Sequence, residues 1–549
     1  MGLSVSVTSD QTVTLNKSLL LLLGVCALML ALPTLSIWGA WFTWNDSGDG
    51  LISHLVATVL PDYVVTSLLL CLGVAFGVTV LGVASAVLVT FFDFPGRTTL
   101  SWLLLLPIAA PAYIVAFVYT DVLQYSGGLQ VGLRALTGWE GALWPDIRSV
   151  GGAIMVFSVT LYPYVYILVR AALVERASSL FEAAALLGAG MPRRLATLAI
   201  PLARPALAAG VALVLMETLA DYGVASYFGI QTFTTGIYKA WLVMDSPQVA
   251  AQLATILLLL VLAILTWEQR AQRRVRFASG RAQRPTQTRH AERVMGLQGV
   301  GLLLLGLIPV LLGFLLPALV LMSLFFASDT TPAYGDFFQW TQNSVRLGLI
   351  TAALAVGIAL TFGAVKRMRG SPFIGAIGQV ISLGYAVPGA VVVIGILLPV
   401  VWLRTVGWGA DWGYWVTGTS LGLIWAYLVR FTSVAMQTVD SGYTRLSYRL
   451  DETSQTLGVH GASMFRRVHM PLLRKSTYVA ALLVLVDVLK ELPVTLVLRP
   501  FDSDTLAVAA YQLARDERLD AAALPALALV LVGLVPVILL SRELKSSDR

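Results

Sequence analysis

The chain has 549 residues, 57% apolar and only 12% charged, with a mean hydropathy of +0.81. Ordinary globular chains carry about a quarter charged residues, so this one cannot clothe a water-facing surface of its size and reads as a membrane protein. The formal charge of +7 does not ask for nucleic acid, because 31 of the 37 basic residues are arginines dispersed between hydrophobic runs, as membrane-flanking residues are.

A spanning helix needs about 20 mostly apolar residues. Twelve segments qualify, near 18–38, 66–92, 100–122, 150–171, 205–226, 249–267, 297–325, 344–365, 374–400, 416–436, 477–498 and 523–541. The first also has the charged flank and apolar core of a signal peptide, but its apolar stretch continues to Trp41 without a clear small-x-small cleavage site, so it is kept as a helix. With the N-terminus inside, alternate loops divide Lys and Arg 28 to 8, counting Arg430 with the inner loops and leaving Lys490 inside a span. Positive charge is retained on the cytoplasmic side, so both termini are expected there, in a multi-pass membrane protein. Cys26 and Cys71 lie inside apolar runs with no Cys/His cluster of ligand spacing, which argues against a disulfide framework or a zinc site.

Two parts of the chain repeat each other. From Glu182, EAAALLGAGMPRRLATLAIP places a glycine six positions on, at Gly188, and a proline thirteen further, at Pro201. DETSQTLGVHGASMFRRVHMP gives Glu452, Gly458 and Pro471 with the same spacing at an offset of 270. The offset persists into the next span, setting Glu217 on Asp487 and Asp221 on Glu491, while Pro111 and Pro388 match at 277. The expected fold is all-α, with about 12 transmembrane helices in two pseudo-symmetric six-helix halves. The first domain covers 1–267 with a cytoplasmic loop at 173–204, the second 297–549 with a loop at 437–475. Between them, 268–296 is a basic linker, whose charge suits anionic lipid rather than nucleic acid.

Each loop reads as two short helices: Leu180 to Leu187 or Tyr448 to Leu457, then Gly188 or Gly458 permitting the left-handed backbone of a helix end. A second helical stretch follows, carrying Arg193 and Arg194 or Arg466 and Arg467 and ending before Pro201 or Pro471. Such a knob suits docking into a partner's groove; the alternative is a pair of amphipathic helices lying on the membrane. Recurrence of one Glu-Gly-Pro spacing favours docking.

Glu182-Ala183-Ala184, three residues, Gly188 and a later proline resemble the cytoplasmic signature loop of bacterial ATP-binding-cassette importer permeases. The second copy departs, with Glu452-Thr453-Ser454 before Gly458. METLADYG, followed by Tyr238 to Trp241, and KELPVTLVLRPFDSDTLAV from Lys490 resemble the fused ferric-iron permeases, in which one chain supplies both membrane halves. The resemblance implies the type I importer transmembrane fold. It implies two copies of a separate ATPase docking on Glu182, Ala183, Ala184, Gly188, Glu452 and Gly458, and a periplasmic solute-binding protein delivering cargo. No G-x-x-x-x-G-K-[ST] phosphate loop occurs, so ATP and Mg are expected on the partner, with no cofactor on this chain and no enzymatic activity of its own.

Glu217 and Asp221 are four apart, as are Asp487 and Glu491, which would put each pair on one helical face, with Lys490 joining the second. Ionisable groups inside a span are expensive unless they face a cavity or one another, so Glu217, Asp221, Asp487, Lys490 and Glu491, with neighbouring Tyr222, are candidates for a translocation path or gate. The structural alternative pairs Lys490 with Asp487 and leaves Asp221 and Glu491 wetted at span ends. Tyr113, Tyr222 and Tyr385 read as interface aromatics or oxygen-bearing cavity walls. The four histidines are scattered, and none is read as a metal ligand. Carboxylates suit a hard cation such as ferric ion; rival readings are thiamine, a polyamine, a phosphonate or an inorganic anion as cargo, or an ion-coupled secondary transporter.

Overall fold

Proline decides where the long apolar runs bend, because it cannot donate to the helical ladder and its ring crowds the carbonyl four residues back. The computed structural model describes residues 17–42, 54, 57–176, 183–276, 291–327, 334–369, 372–407 and 410–547, which are helical nearly throughout. Among them the sole strands are a two-residue parallel pair, Phe92–Asp93 with Glu292–Arg293.

Eight described helices are long and apolar enough to cross a membrane, or ten if each of two bent pairs is one span. The bent pairs correct two expected continuous spans, 100–122 and 374–400: there the chain turns by 91° and 113°. Each turn lies at a matched proline. Ala110 and Val387, which precede Pro111 and Pro388, are forced to extended backbone (ψ 121° and 120°), and the helices restart at Ala112 and Gly389. The expected spans at 205–226 and 477–498 also break early, at Ala220 and Lys490, with Asp221 and Glu491 extended beyond them. Ser420–Thr444 carries Arg430 near its middle, and Met470–Lys490 carries four charged residues; neither is among the helices that qualify on length and apolarity.

Three other prolines are absorbed rather than obeyed. The helices expected to end before Pro201 and Pro471 instead widen into π-turns, Leu195–Ala199 and Phe465–His469, and continue as Ile200–Ala220 and Met470–Lys490. Leu311–Leu315 does the same ahead of Pro317. An i→i+5 turn gives the missing hydrogen bond somewhere to go, so the helix axis survives.

The element order of 60–276 recurs in 334–547. A long helix (Leu60–Phe91, Tyr334–Arg369) is followed by a bent pair and another long helix (Val150–Arg176, Ser420–Thr444). Then come the π-turn helix, a short helix after the break (Gly223–Tyr227, Pro493–Leu498), a ten-residue helix (Phe233–Leu242, Leu506–Arg515) and a final long helix (Pro247–Arg276, Leu519–Ser547). In each series the first long helix, the second and the π-turn helix pack on one another. The helices ahead of each series cross over: Lys17–Ser36 lies on Gly389–Thr405, and Gly296–Ala327 lies on the first series. Glycine permits both crossings. A Cβ on Gly395 would stand 1.9 Å from the Pro33 carbonyl oxygen, and one on Gly313 would stand 2.2 Å from that of Val159. Ser36 Oγ closes the first crossing by donating to the Gly395 carbonyl (2.5 Å).

Gly395→Ala should therefore push Lys17–Ser36 off its seat at a cost of about 1–3 kcal/mol, read as a lower melting temperature in detergent. Gly24→Ala, where a Cβ meets nothing within 4 Å, should leave melting unchanged.

Candidate functional site

Where the four breaks converge they leave a cavity of about 370 Å³. Glu217, Asp221, Asp487, Lys490 and Glu491 all line it, together with Arg430, Tyr385, Tyr113 and the Pro107 to Tyr113 corner. Tyr222 does not. It packs on Tyr238 (centroids 4.4 Å apart) in an aromatic cluster that includes Tyr511. The one-face argument fails for the last member of each acidic pair, because the helix has already ended; the break, not helical periodicity, brings Asp221 and Glu491 to the cavity.

Glu491 is 4% exposed, against the structural alternative that leaves it wetted at a span end. Its carboxylate accepts from Arg430 Nη1 (2.7 Å), from the backbone amides of Val494 and Thr495 (3.1 Å each) and from Thr495 Oγ1 (3.0 Å). It is thus at once a buried ion-pair partner and the cap of the Pro493–Leu498 helix, whose free amides favour an anion. Arg430 is no loop residue, as the charge count took it to be. Its place in the Ser420–Thr444 helix, 8% exposed, makes it the counter-ion of the later break. Gly389 packs closely beside it: a Cβ there would lie 3.3 Å from both Arg430 Nη1 and Glu491 Oε1.

Asp221 caps the earlier break the same way, accepting from the Val224 amide (2.8 Å). At the offset of 270, however, Arg430 corresponds to Thr160, whose hydroxyl donates to the Val156 carbonyl (2.8 Å). Glu217 accepts from the Tyr385 hydroxyl (2.9 Å), across from the later bent pair. Lys490 reaches the opposite way: its ammonium donates to the Ile108 carbonyl (3.0 Å) at the earlier bend, while its charge still acts on nearby Asp487. Tyr385 and Ile108 are themselves matched at the offset of 277. A second reciprocal tie lies nearby, with Tyr238 donating to the Pro493 carbonyl (2.8 Å) and Tyr511 to Ser226 Oγ (2.9 Å). Among the described residues no three acidic, histidine or cysteine side chains converge to hold a metal ion. The lining carries charge of both signs, spread over several elements.

At the two loops, Gly188 and Gly458 take the expected left-handed conformation (φ +79° and +77°). Ala183 and Ala184 lie in the helical turn ahead of Gly188, while Glu182 lies outside the described residues. Glu452 is exposed on Tyr448–Thr456. Leu186, Leu187 and Leu457 at the tips are 89%, 87% and 76% exposed, an apolar end to each knob.

Residues 78–277 match the family described as binding-protein-dependent transport system inner membrane component. The Fe(3+)-transport system permease protein FbpB 2 of Haemophilus influenzae is 24% identical over 491 residues, 88% of this chain and 90% of that protein. The putative 2-aminoethylphosphonate transport system permease protein PhnU of Salmonella choleraesuis is 28% identical over 37% of this chain and 73% of its own length. The sulfate transport system permease protein CysT of Escherichia coli is 29% identical over 48% of this chain and 94% of its own length. Residues 78–277 thus match an inner-membrane transport component, and over most of its length the multi-helix chain is similar to permeases of binding-protein-dependent importers, systems that imply a periplasmic binding protein and an ATPase as partners.

The ion pair at the later break sets a stability test. Arg430→Met strands a buried carboxylate and should cost about 3–5 kcal/mol. Arg430→Met with Glu491→Gln should recover much of that loss, as measured by thermal unfolding of the detergent-solubilised protein.

Proposed function

We propose that the chain is a fused ferric-iron permease: two pseudo-symmetric six-helix halves with twelve spans, both termini cytoplasmic, moving cargo from a periplasmic binding protein to the cytoplasm. The two loops meet two copies of an ATPase through Glu182, Ala183, Ala184 and Gly188 and through Glu452 and Gly458. ATP and Mg are held on that partner, with no cofactor and no catalysis on this chain. Twelve spans follow if Ser420–Thr444 and Met470–Lys490 cross the membrane as their counterparts Val150–Arg176 and Ile200–Ala220 do. Pairing of buried Arg430 with Glu491, just past the end of Met470–Lys490, offsets part of their low apolarity.

The observation that carries the cargo reading is the charge of the cavity. With Arg430 engaged by Glu491, the lining offers Glu217, Asp221 and Asp487 against the single ammonium of Lys490. Oxygen-rich, acidic walls suit a hard cation, and spread rather than convergent carboxylates let it leave. The extended similarity to the Haemophilus influenzae Fe(3+) permease supports the same cargo. Phosphonate and sulfate permeases among the relatives make an anion the competing cargo, and an anion would meet repulsion from this lining.

Proteoliposomes holding the permease, its ATPase and its binding protein should accumulate radioactive ferric iron and not sulfate or 2-aminoethylphosphonate; the reverse preference would discard the iron reading. Neutralising Glu217, Asp221 and Asp487 together should slow uptake in a protein that still folds. Glu182→Ala should weaken ATPase retention in a pull-down more than Glu452→Ala, and wild-type retention in the double variant would rule out docking through these residues. For topology, Ser279→Cys in the linker and Gly335→Cys should react with an impermeant thiol reagent from opposite sides of the membrane.

A further inference from the structure

Two phenols stand with the matched acidic pair of the cavity. Glu217 and Asp487 both line it and lie within electrostatic reach of one another. Tyr385, at the later bend, donates to Glu217 Oε1 (2.9 Å) and is acted on by Asp487 as well. Tyr164, on Val150–Arg176, lines the same cavity, where both carboxylates act on it and it acts on Tyr385. Each of the four is thus coupled to the other three, and each series supplies one carboxylate and one phenol. Two carboxylates alone fall short of a metal site; the two phenols bring the oxygen donors to four. The nearby cations are already engaged. Arg430, which also acts on Asp487, is held by Glu491 (2.7 Å), and Lys490 donates to the Ile108 carbonyl.

The same wall holds a polar group with nothing to bond. Tyr113, 4% exposed, lines the cavity within electrostatic reach of Asp221 and Glu491, and its hydroxyl is buried without a hydrogen-bond partner among the described residues. A buried hydroxyl left so is costly, and a polar occupant of the cavity, such as an ion with its remaining water, would relieve that cost.

We infer that Glu217, Asp487, Tyr164 and Tyr385 form a four-oxygen transit site for the ferric cargo, with two carboxylates and two phenols closing on the ion between the two series. This inference rests on the ferric-cargo reading of the cavity. Ferric ion is a hard, highly charged acceptor that replaces the proton of a phenol with an iron–oxygen bond, and each displaced proton leaves to water. Two carboxylates and two phenolates then balance the ion and the Lys490 ammonium, so the filled site is neutral as a whole, as a charge within the membrane requires. A divalent cation is a weaker acid; it leaves the phenols protonated and rests on the carboxylates alone. Tyr385 gives up its hydrogen bond to Glu217 when it coordinates. Taking a proton back restores that bond and loosens the ion, which suits passage rather than storage.

Phenolate bound to ferric iron has a visible charge-transfer absorption that carboxylate-bound iron lacks. The complete permease–ATPase complex in nanodiscs, without binding protein, should show it when ferric nitrilotriacetate is added. Tyr164→Phe and Tyr385→Phe should each remove about half of the absorption and weaken ferric binding at least about tenfold, the lower end of what disturbing a metal's surroundings costs. The double variant should lose the absorption altogether, and Glu217→Gln with Asp487→Asn should lose absorption and bound iron together. Tyr222→Phe, outside the cavity lining, should keep both. Melting temperature establishes that each variant is folded; if Tyr385→Phe fails to fold, Tyr164→Phe decides. Iron uptake by the wild-type importer with no such absorption, or full absorption and uptake in a folded double variant, would overturn the site and leave the ferric cargo standing. Uptake of sulfate or 2-aminoethylphosphonate in place of iron would overturn the cargo reading, and the site with it.

Discussion

The structure turns on one carboxylate. Glu491 sits where a membrane helix stops, and a stopped helix inside hydrocarbon leaves backbone amides that water cannot reach. By accepting from Val494 and Thr495 while pairing with Arg430, it satisfies a helix start and a buried cation with one group. Neither the break nor the arginine would be tolerable without it. The break in turn opens the cavity, exposes Asp487 and Lys490 to it and lets the bent Ile374–Arg404 segment approach. The fold of the later series is therefore arranged around neutralising a single interruption, and the permease cavity is the space which that interruption creates.

The earlier series solves the same problem with different residues. Asp221 caps its short helix as Glu491 does, but threonine stands where arginine would, and Ala220 stands where Lys490 would. The acidic positions are kept on both sides and the basic ones on one, so the cavity is lopsided in charge although the helices around it recur in order. Glu217 leans on Tyr385, while Lys490 leans on Ile108. These crossed contacts tie each cavity helix to the other series' bend, and a relative movement of the two series has to break or re-form them.

Much of this was legible in the sequence because it depends on residues with few substitutes. Gly188 and Gly458 mark left-handed helix ends that other residues rarely adopt, and Pro493 marks a break. The matching break after Ala220 carries no such sign, since Gly223 occupies the position of Pro493. Proline misled at Pro201 and Pro471, where π-turns absorb it, and the bends at Pro111 and Pro388 were hidden inside runs apolar enough to pass for straight spans. Arg430 was misplaced for a related reason. A basic residue near a span's estimated end is counted with the loop, and only its spatial neighbour Glu491, 61 positions away, reveals it as internal. Tyr385 was similarly ambiguous, because an aromatic hydroxyl near a span end looks alike whether it faces headgroups or a carboxylate. Glu182, the most distinctive residue of the signature loop, lies outside the described residues, so its part in docking rests on the sequence pattern.

Geometry connects the two kinds of site. Ile200–Ala220 and Met470–Lys490 each have 21 residues, about 31 Å at 1.5 Å per residue, roughly a membrane's hydrocarbon depth. Each follows a π-turn that lies directly behind one of the two Glu-Gly-Pro loops and stops one residue before a carboxylate of the cavity. A rod of that length needs no relay along it, because whatever tilts its foot moves its head. The loops ahead of them differ in sequence: the first reads Glu-Ala-Ala before Gly188, while the second reads Glu-Thr-Ser before Gly458 and follows Asp451, which Arg367 holds in a buried ion pair tying that loop to Tyr334–Arg369.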